Sequence, residues 1–463
     1  MRLGALLGPE IEEALRTNPA QLLELIEELH AADLAEVVAE LPDEPASRLL
    51  GTLPLELALE IFGFLELPRR VQLITACDRA VAVKLANQMP PDDRADLFAA
   101  LSEEVALELL GRMEKDEAAD VKELLTWPAT SAGGIMTTAY VALAPDRPIE
   151  QAIEEVRKSA EEMETIFEVY AVDPGGTLLG AVSLRDLVLA KKGQTVRDIM
   201  DPSTRSVDAD VDREEVARLF SHYALTTMPV VEPDTRRMLG IVTVDDVVDV
   251  MQAIQTEDVH RMAAVSPIED PYMQASVWML VRRRLPWLVV LFVAEMFTSY
   301  TLRGYHWVEK AVEVMSIYVP LIISAGGNSG SQSSGLLVRA LAVGEVTSQQ
   351  WLRVLSRELA QGLVLGGILA AIGFLRAVAP FPVGMGNTTG VGLVVACSVM
   401  GVIVLGTVVG SMLPLVFKRL GFDPAVTSAP FIAVLVDVAG LVIYFNVAIW
   451  IFGLAHPVPA PAP

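Results

Sequence analysis

The sequence is poor in cysteine, histidine and aromatic residues. Of its 463 residues, two are cysteines, Cys77 and Cys397, and five are histidines, while aromatic side chains make up 6%. The two distant cysteines give no sign of a disulfide framework, and the scattered histidines lack the spacing of a zinc or soft-metal site. No phosphate-binding loop, nucleophile–base–acid set or redox motif is present either. These absences argue against an enzyme.

Positive charge is also scarce. Lys and Arg number 35 against 59 Asp and Glu, which gives a net charge of −24. From Leu285 onward acidic and basic residues nearly balance, so almost all of the excess lies in the first 284 residues. Such acidity argues against nucleic acid or anionic lipid as a partner and favours cations. The N-terminus carries Glu10, Glu12 and Glu13 and lacks a basic-then-apolar signal, so residues 1–280 are expected in the cytosol.

The late stretch Ala425–Ala455 is long enough to cross a bilayer, which takes about 20 apolar residues. Its one ionisable residue, Asp437, lies near the middle. A carboxylate at that depth costs about 2.5–3.5 kcal/mol, so such residues usually face a water-filled path, unless a basic residue of another span pairs with them. No basic residue follows at a similar depth. Asp437 is therefore a candidate cation site.

Four further apolar stretches precede this one, which predicts five spans in all. The spans are expected near residues 286–303, 311–340, 355–378, 391–417 and 425–452. The positive-inside tendency places their basic flanks in the cytosol, namely Arg282 to Arg284, Arg339, Arg353, Arg357, Lys418 and Arg419. With a cytosolic N-terminus, the Pro-rich tail HPVPAPAP falls outside the cell.

The second span contains the polar segment PLIISAGGNSGSQSSG. Its glycines, serines and amides predict an interruption of the span at membrane depth, lined by protein or water, where Asn328 is a candidate contact for a hydrated ion. The alternative is close helix packing by small residues. Glu295, in the first span, is a second intramembrane acid. Whether it faces the helix bundle or a contact between subunits is left open.

Residues 1–128 are predicted to be helical throughout. Short amphipathic segments repeat with Leu-Pro or Met-Pro stops, which is typical of a stacked helical superhelix. In PPDDRADLFAAL, Asp92 and Asp96 are four residues apart and share a helix face. Two interpretations stay open: the acids complement the helix dipole, or they form half of an inter-domain cation site.

Residues 133–258 contain an internal repeat. Gly134-Ile135-Met136 recurs as Asp198-Ile199-Met200, and the Leu179–Asp186 segment LGAVSLRD recurs as LGIVTVDD at Leu239–Asp246. This looks like a tandem pair of CBS domains. In that family the Ser/Thr and Asp of the motif often hold the ribose of an adenine nucleotide. The candidate nucleotide residues are Ser183, Arg185, Asp186 and Tyr170, with Thr243 and Asp246 in the second repeat. Thr243 equally serves as a helix cap with Asp246 as its N3 partner.

The last helix of the second repeat is predicted to run on from Val244 without Gly or Pro until Pro267. Asp246, Asp249 and Glu257 fall on one face of it, flanked by Asp245 and Asp258. Such a stripe is usually a solvated acidic face. The alternative is that cations screen these acids from those of residues 1–128, since hard oxygen ligands suit magnesium or calcium.

Along its whole length the chain resembles the MgtE family of magnesium channels. The segment Pro320…Gly326-Gly327-Asn328-Ser329-Gly330-Ser331-Gln332 is similar to the family's proline followed by GGNxGxQ. The segment Ala429–Asp437 resembles its pore-lining segment. The resemblance implies a multi-domain membrane protein with an all-α superhelical N-domain, α/β tandem CBS domains, a long connecting helix and a five-helix transmembrane domain. The corresponding ranges are 1–129, 133–194, 195–256, 244–281 and 282–463.

The same resemblance implies the function. Family members are homodimers of the plasma membrane with the pore between the subunits, lined here by Asn328, Ala429 and Ala433, and with hydrated Mg²⁺ held at Asp437. It implies that Mg²⁺ also bridges sensor acids and closes the pore through the connecting helix. The matching acids are Asp92, Asp96, Asp246, Asp249, Glu257 and Asp258, with Glu60 and Glu215 as further members. ATP is a candidate cofactor. The alternatives are an ion-coupled secondary transporter of divalent cations and a nucleotide-sensing membrane protein with CBS domains.

Overall fold

The computed structural model describes residues 3–17, 26, 29–160, 162–268, 272–273, 275–380, 384–385 and 387–455. The chain divides into two compact units, Met1–Gln252 and Ala253–Pro463. The tail that the sequence places outside the cell, residues 456–463, lies outside the described residues.

The first unit begins with short amphipathic helices, as the sequence predicts. Proline marks the starts of four of them, because it ends one helix and is tolerated in the first turn of the next. Pro42, Pro54 and Pro90 stand at N-caps, and Pro68 lies in a first turn. The described helices are α1 (Leu3–Thr17), α2 (Ala31–Glu40), α3 (Asp43–Thr52), α4 (Leu55–Gly63), α5 (Leu67–Ala76), α6 (Arg79–Gln88), α7 (Pro91–Ala100), α8 (Glu103–Leu110) and α9 (Lys115–Leu124). One continuous apolar core runs through the series.

The internal repeat folds into two small sheets of the same topology. In each, the first strand is parallel to the second, and the second is antiparallel to the third. The first repeat comprises β1 (Ala142–Leu143), α10 (Ile149–Ser159), β2 (Glu168–Val172), β3 (Leu178–Ser183) and α11 (Leu184–Leu189). The second comprises α12 (Val196–Ile199), β4 (Val207–Asp208), α13 (Arg213–Tyr223), β5 (Thr227–Val231) and β6 (Met238–Thr243).

The glycine of each repeated Leu-Gly pair is explained by a close backbone approach. A Cβ at Gly180 would lie 2.5 Å from the carbonyl oxygen of Asp201, and a Cβ at Gly240 would lie 2.5 Å from that of Thr137. Only glycine fits both positions without a shift of the backbone. The two repeats therefore share a glycine because, in each, another backbone segment passes close to the same position of the sheet.

Beyond the second sheet the chain continues as α14 (Val244–Met262), which includes the boundary between the two units. Five long helices follow in the described part of the second unit: α15 (Val277–Ala311), α16 (Val319–Ala342), α17 (Trp351–Val378), α18 (Thr389–Arg419) and α19 (Ala429–Phe452). Short 3₁₀ helices precede α16 at Glu313–Tyr318, α17 at Ser348–Gln350 and α19 at Pro424–Val426. α15 begins at Val277 rather than at Pro286, which lies inside the helix.

Among the described residues, four segments are long and apolar enough to cross a membrane: Val277–Ala311, Ser348–Val378, Thr389–Arg419 and Ala429–Phe452. α16 is as long as α19 but carries the glycines, serines and amides. It packs along both α18 and α19, so it belongs to the same bundle.

The predicted interruption of the second span is wrong. α16 is a continuous helix from Val319 to Ala342. A continuous helix satisfies its own backbone hydrogen bonds at membrane depth, and its small residues allow the neighbouring helices to approach closely. The alternative of close helix packing is the one that the geometry supports.

Candidate ion site and acidic cluster

Asp437 lies on α19 opposite a glycine of α16. A Cβ at Gly327 would lie 3.3 Å from the Asp437 Oδ1 and 3.3 Å from the Cβ of Ala433. The Asp437 Oδ1 is buried, and nothing in the described part of the chain donates a hydrogen bond to it. An ionised carboxylate left without a donor is unfavourable unless a cation or water satisfies it. The site therefore fits a hydrated divalent cation, for which oxygen ligands are preferred.

Glycines on α16 and α18 bring three helices together at this level. A Cβ at Gly330 would lie 2.8 Å from Ile432 Cγ2 and 3.1 Å from the carbonyl oxygen of Gly406. A Cβ at Gly406 would in turn lie 2.6 Å from the carbonyl oxygen of Gly326. These positions exclude any larger residue, so the backbone of α16 is fixed against α18 and α19.

Two hydroxyls of α16 also fix the start of α19. The Ser331 Oγ donates to the carbonyl oxygen of Ala429 at 3.2 Å, and the Ser334 Oγ donates to that of Thr427 at 3.3 Å. Ala429, a predicted pore residue, therefore has its carbonyl engaged by α16. Ala433, the other small residue of this face, lies against Gly327.

One face of α16 is polar and exposed. Ser324, Asn328 and Gln332 are spaced four residues apart along the helix. The Asn328 side chain is exposed, and its Nδ2 donates to the Ser324 Oγ at 3.2 Å. In a bilayer such groups need water or protein rather than lipid. Glu295 of α15 is also exposed, and its charge acts on Asp437, so a second acid lies near the candidate site.

The first unit gathers acids from three separate segments. They come from the first turns of α7, from the segment after α10 and from the start of α14, and we call them the acidic cluster: Asp92, Asp93, Asp96, Glu164, Asp245, Asp246 and Asp249. The structure therefore brings together four predicted sensor acids, Asp92, Asp96, Asp246 and Asp249.

Burial and mutual repulsion raise the pKa values in the acidic cluster. Burial is the larger cause for Asp92 and Asp246, and the charge of Asp93 adds to it for Asp92, as that of Asp92 does for Asp246. The same two causes raise the pKa of Asp96 to about 6 and that of Glu164 to about 7. Arg70 pairs with Asp93 and, together with Arg213, offsets part of the negative charge around Asp96. The remaining carboxylates at this density favour either protons or cations.

One oxygen of the acidic cluster is left without a partner. The Asp92 Oδ1 is buried and receives no hydrogen bond within the described part of the chain. The described residues contain no group of three or more Asp, Glu, His or Cys side chains arranged to hold a metal ion directly. Magnesium commonly keeps several waters and contacts one or two carboxylates, so the acidic cluster fits this ion in its hydrated form.

The other predicted sensor acids lie elsewhere. Glu60 is exposed on α4. Glu215 accepts two hydrogen bonds from Arg218 on its own helix, at 2.7 Å from Nε and also from Nη2, and this partner lowers the pKa of Glu215. Glu257 and Asp258 belong to the second unit.

The last turn of α14 is tied to the segment before α19. The Arg261 guanidinium pairs with Glu257 on its own helix and with Asp423. Asp423 in turn accepts a hydrogen bond from the backbone N–H of Ala425 at 2.8 Å, at the 3₁₀ turn that leads into α19. One guanidinium thus joins the connecting helix to the helix that carries Asp437.

The Ser/Thr and Asp of each repeat form a helix cap. The Ser183 Oγ donates to Asp186 Oδ2 at 2.6 Å and accepts from the Asp186 N–H at 3.1 Å. The Thr243 Oγ1 donates to Asp246 Oδ2 at 2.5 Å. The capping alternative is therefore what this structure contains, although Asp186 and Arg185 remain accessible at the surface.

Tyr170, the fourth predicted nucleotide residue, is fully buried. Its hydroxyl donates to the Thr227 Oγ1 at 3.1 Å. It has no exposed surface with which to contact a nucleotide in this structure.

Sequence reasoning missed Glu164. It follows α10 in a segment without regular periodicity, and only the fold brings it to Asp92 and Asp245. No local pattern could have found it. Asp93 and Asp245 were visible as neighbours of predicted acids, but their part in the acidic cluster depends on contacts between distant segments.

Three family models match the chain. The descriptions are "Divalent cation transporter" over residues 319–447, "MgtE intracellular N domain" over 29–130 and "CBS domain" over 132–193 and 196–253. The magnesium transporter MgtE of Thermus thermophilus is 41% identical over 332 residues, which cover 71% of this chain and 72% of the relative. That of Bacillus subtilis is 32% identical over 385 residues, covering 83% and 84%.

Two solved structures match about half of the chain. The crystal structure of the cytosolic domain of the Mg²⁺ channel MgtE in complex with ATP matches with a TM-score of 0.50 and 34% identity, over 52% of this chain and 99% of that one. The crystal structure of the soluble part of a magnesium transporter matches with a TM-score of 0.50 and 27% identity, over 54% and 98%. This chain, with its several membrane-spanning helices, belongs to the MgtE family of magnesium transporters.

Proposed function

We propose that this chain forms a magnesium channel in the plasma membrane, gated by cytosolic Mg²⁺. The observation that carries the conduction part is the buried Asp437 Oδ1, which lacks a hydrogen-bond donor among the described residues and faces Gly327. A hydrated Mg²⁺ supplies both the charge and the water donors that this oxygen needs.

The polar face of α16 supports a pore between two copies of the chain. Exposure of Ser324, Asn328 and Gln332 to lipid would cost free energy. A second copy of the chain packed on this face would shield these side chains from the lipid. The same face offers hydroxyl and amide oxygens to the waters around the ion. The homodimer is part of this proposal.

The proposed orientation follows from the basic residues. Arg282 to Arg284 precede the apolar run of α15, and Arg339, Arg353, Arg357, Lys418 and Arg419 lie at the ends of α16 to α18 that the positive-inside tendency assigns to the cytosol. The first unit, with its acidic cluster, is then cytosolic.

The gating part of the proposal depends on the acidic cluster. Two unit charges 4 Å apart repel by about 4 kcal/mol near a protein surface. Without cations this repulsion opens the contact between the α7 segment and the start of α14, and with Mg²⁺ bound the contact closes. Moving a gate from mostly open to mostly closed takes about 5.5 kcal/mol of differential binding, which several ions acting together supply.

A role for ATP is a separate part of the proposal. A related cytosolic domain was crystallised with ATP. In this chain Ser183, Arg185 and Asp186 are the proposed ribose and phosphate contacts. Nucleotide binding requires Asp186 to exchange its hydrogen bond with Ser183 for one with the ribose.

The test is uptake of Mg²⁺ into proteoliposomes, with the native chain, Asp437→Asn and the control Glu313→Gln, while internal Mg²⁺ is varied. The proposal expects Asp437→Asn to lose uptake, Glu313→Gln to keep it, and internal Mg²⁺ to suppress uptake by the native chain. Normal conduction by Asp437→Asn would overturn the pore assignment. Uptake that depends steeply on a proton or sodium gradient would instead favour the coupled carrier, for which the nearness of Glu295 to Asp437 speaks.

A further inference from the structure

The helix α15 is longer than a membrane span. Its 35 residues extend over about 52 Å at 1.5 Å per residue, whereas the hydrocarbon core is about 30 Å thick. The apolar run begins at Leu285, so the first two turns, Val277–Arg284, lie before it. These two turns therefore project from the membrane on the side of the arginines.

Three consecutive arginines lie at the membrane end of these two turns, directly before the apolar run. We call them the arginine triad: Arg282, Arg283 and Arg284. Two of the three are exposed and one is half-buried. In the part of the chain that the structure describes, none of the three guanidinium groups takes part in an ion pair or a side-chain hydrogen bond. In a protein with a net charge of −24, three adjacent cations that pair with no described acidic side chain are unusual.

Two tryptophans flank the arginine triad. Trp278 is 75% exposed and precedes Arg282 by one helical turn, and Trp287 follows Arg284 by three residues. Tryptophan is enriched at the level of lipid headgroups, because its ring is apolar and its N–H is polar. Both rings therefore indicate that the arginine triad lies at headgroup depth.

The surface of α15 that follows the arginine triad along the helix is apolar and exposed. Phe292 is 70% exposed, Leu288 is 52% exposed and Val289 is 51% exposed. A molecule that places an anionic group at the triad and an acyl chain along these residues matches both parts of the surface. Nucleic acid or an acidic peptide would match only the triad.

The segment after α14 docks at the same place. The backbone N–H of Ser266 donates to the carbonyl oxygen of Arg283 at 3.1 Å. Pro286, at the start of the apolar run, has no N–H and disturbs the helical hydrogen bonds just before it. The segment that follows α14 therefore contacts α15 at the arginine triad.

We propose that the arginine triad attracts the phosphate of an anionic phospholipid in the cytosolic leaflet, with Arg282 and Arg284 at the two edges of the exposed apolar face, and that this lipid holds the segment around Ser266 against α15. Guanidinium groups bind phosphate through paired, charge-assisted hydrogen bonds. The acidity that argues against anionic lipid belongs to the first unit, whereas the triad is a local exception at the membrane. The inference rests on the proposed orientation, with the triad at the cytosolic face, and not on Mg²⁺ conduction.

The test is native mass spectrometry of the full chain in detergent, titrated with phosphatidylglycerol or phosphatidylcholine. The variants are Arg282→Gln/Arg284→Gln, the charge-keeping Arg282→Lys/Arg284→Lys, and the control Arg303→Gln at the other end of α15. We expect the native chain to prefer phosphatidylglycerol. Each basic residue near a membrane surface strengthens the binding of an anionic lipid by about fivefold, so the glutamine pair should lose roughly 25-fold.

The lysine pair should keep most of the preference, which would separate loss of charge from loss of fold. Arg303→Gln should leave it unchanged. Equal binding of the two lipids to the native chain, or an intact preference in the glutamine pair, would overturn the proposal. If the glutamine pair instead changed the oligomeric state without changing lipid binding, the proposal would also fail, and the triad would contact a second copy. Mg²⁺ uptake by the same variants is a separate readout, so failure of the lipid site and failure of the channel are distinguishable.

Discussion

Gly327 of α16 faces Asp437 of α19 so closely that a methyl group at Gly327 would contact the carboxylate oxygen at 3.3 Å. This distance is tighter than an ordinary contact, so Asp437 or the added methyl group must shift by a few tenths of an ångström. A substitution at Gly327 therefore tests whether water and ions reach Asp437, more than it tests the packing of the helices.

Gly327→Ala should lower Mg²⁺ uptake about tenfold or more while the chain still inserts and folds. The methyl group displaces water that a hydrated ion needs beside Asp437, and a change of about 1.4 kcal/mol corresponds to a factor of ten. The matched control is Gly335→Ala on the same helix, where the added Cβ meets Met262 Cε at 3.6 Å. Proteoliposome uptake, normalised to inserted protein, is the measurement. Equal uptake by the two variants would contradict the assignment of Gly327 to the ion site.

Glu164→Gln should weaken the inhibition of uptake by internal Mg²⁺. Its carboxylate adds negative charge near Asp92 and Asp245, so its loss lowers the affinity of the acidic cluster for cations. We expect the half-inhibiting internal Mg²⁺ concentration to rise about fivefold, as the loss of about 1 kcal/mol implies. The control is Glu162→Gln, an exposed neighbour in the same segment. A similar rise in both variants would mean that general surface charge, not the acidic cluster, sets the response.

In Mg²⁺-free buffer, the first unit should become less stable as the pH rises from about 4 to about 8. Burial and neighbouring charges raise the pKa of Asp96 to about 6 and that of Glu164 to about 7, above their values in an unfolded chain. Between the two pKa values the folded form binds more protons than the unfolded form, so stability falls as the pH rises. Protease resistance of the full chain at graded pH measures this. Saturating Mg²⁺ should flatten the dependence, and a stability that rises with pH without Mg²⁺ would contradict the raised pKa values.

Ser183→Ala should reduce ATP binding and also weaken the start of α11. The lost cap costs about 1 kcal/mol by itself. Thr195→Ala is the control, because Thr195 forms a cap with Asp198 in the same unit without belonging to the repeated motif. Isothermal titration of the full chain with ATP distinguishes the two variants. Equal ATP affinity in both would leave Ser183 as a structural cap alone.

Arg94→Met should destabilise the first unit by about 3–5 kcal/mol, because removing a buried cation leaves its acidic partners uncompensated. Arg94 is 2% exposed and donates to Asp120 Oδ2 at 3.0 Å, while Asp120 Oδ1 accepts from Thr138 at 2.8 Å. Arg48→Met removes an exposed pair with Glu44 and should cost less than about 1 kcal/mol. Chemical denaturation followed by protease susceptibility compares them, and similar losses would contradict this role for Arg94.

The fold class could be predicted from the sequence because its signals are local. Leu-Pro stops, a repeated Leu-Gly motif and apolar runs each act within a few residues of the element that they specify. The prediction that the second span is interrupted was wrong. Glycine and serine are read as helix breakers from sequence alone, yet Gly326 and Gly330 lie in a continuous helix, since α18 and α19 pack where their side chains would be.

The candidate sites were predicted less completely. Asp437 could be identified because an acid within an apolar run is conspicuous by itself. The pairing of Glu215 with Arg218 and the position of Glu164 beside Asp92 depend on rotamers and on segments far apart in sequence, so no spacing rule reveals them.

The contact of Arg261 with Glu257 and Asp423 limits how force passes from the connecting helix to α19. All three side chains are about one-third exposed, and such ion pairs are worth about 1 kcal/mol or less. A gate needs about 5.5 kcal/mol to change from mostly open to mostly closed. In the proposed gating mechanism, the guanidinium therefore fixes where the two helices meet, and bound ions would supply the energy that closes the pore.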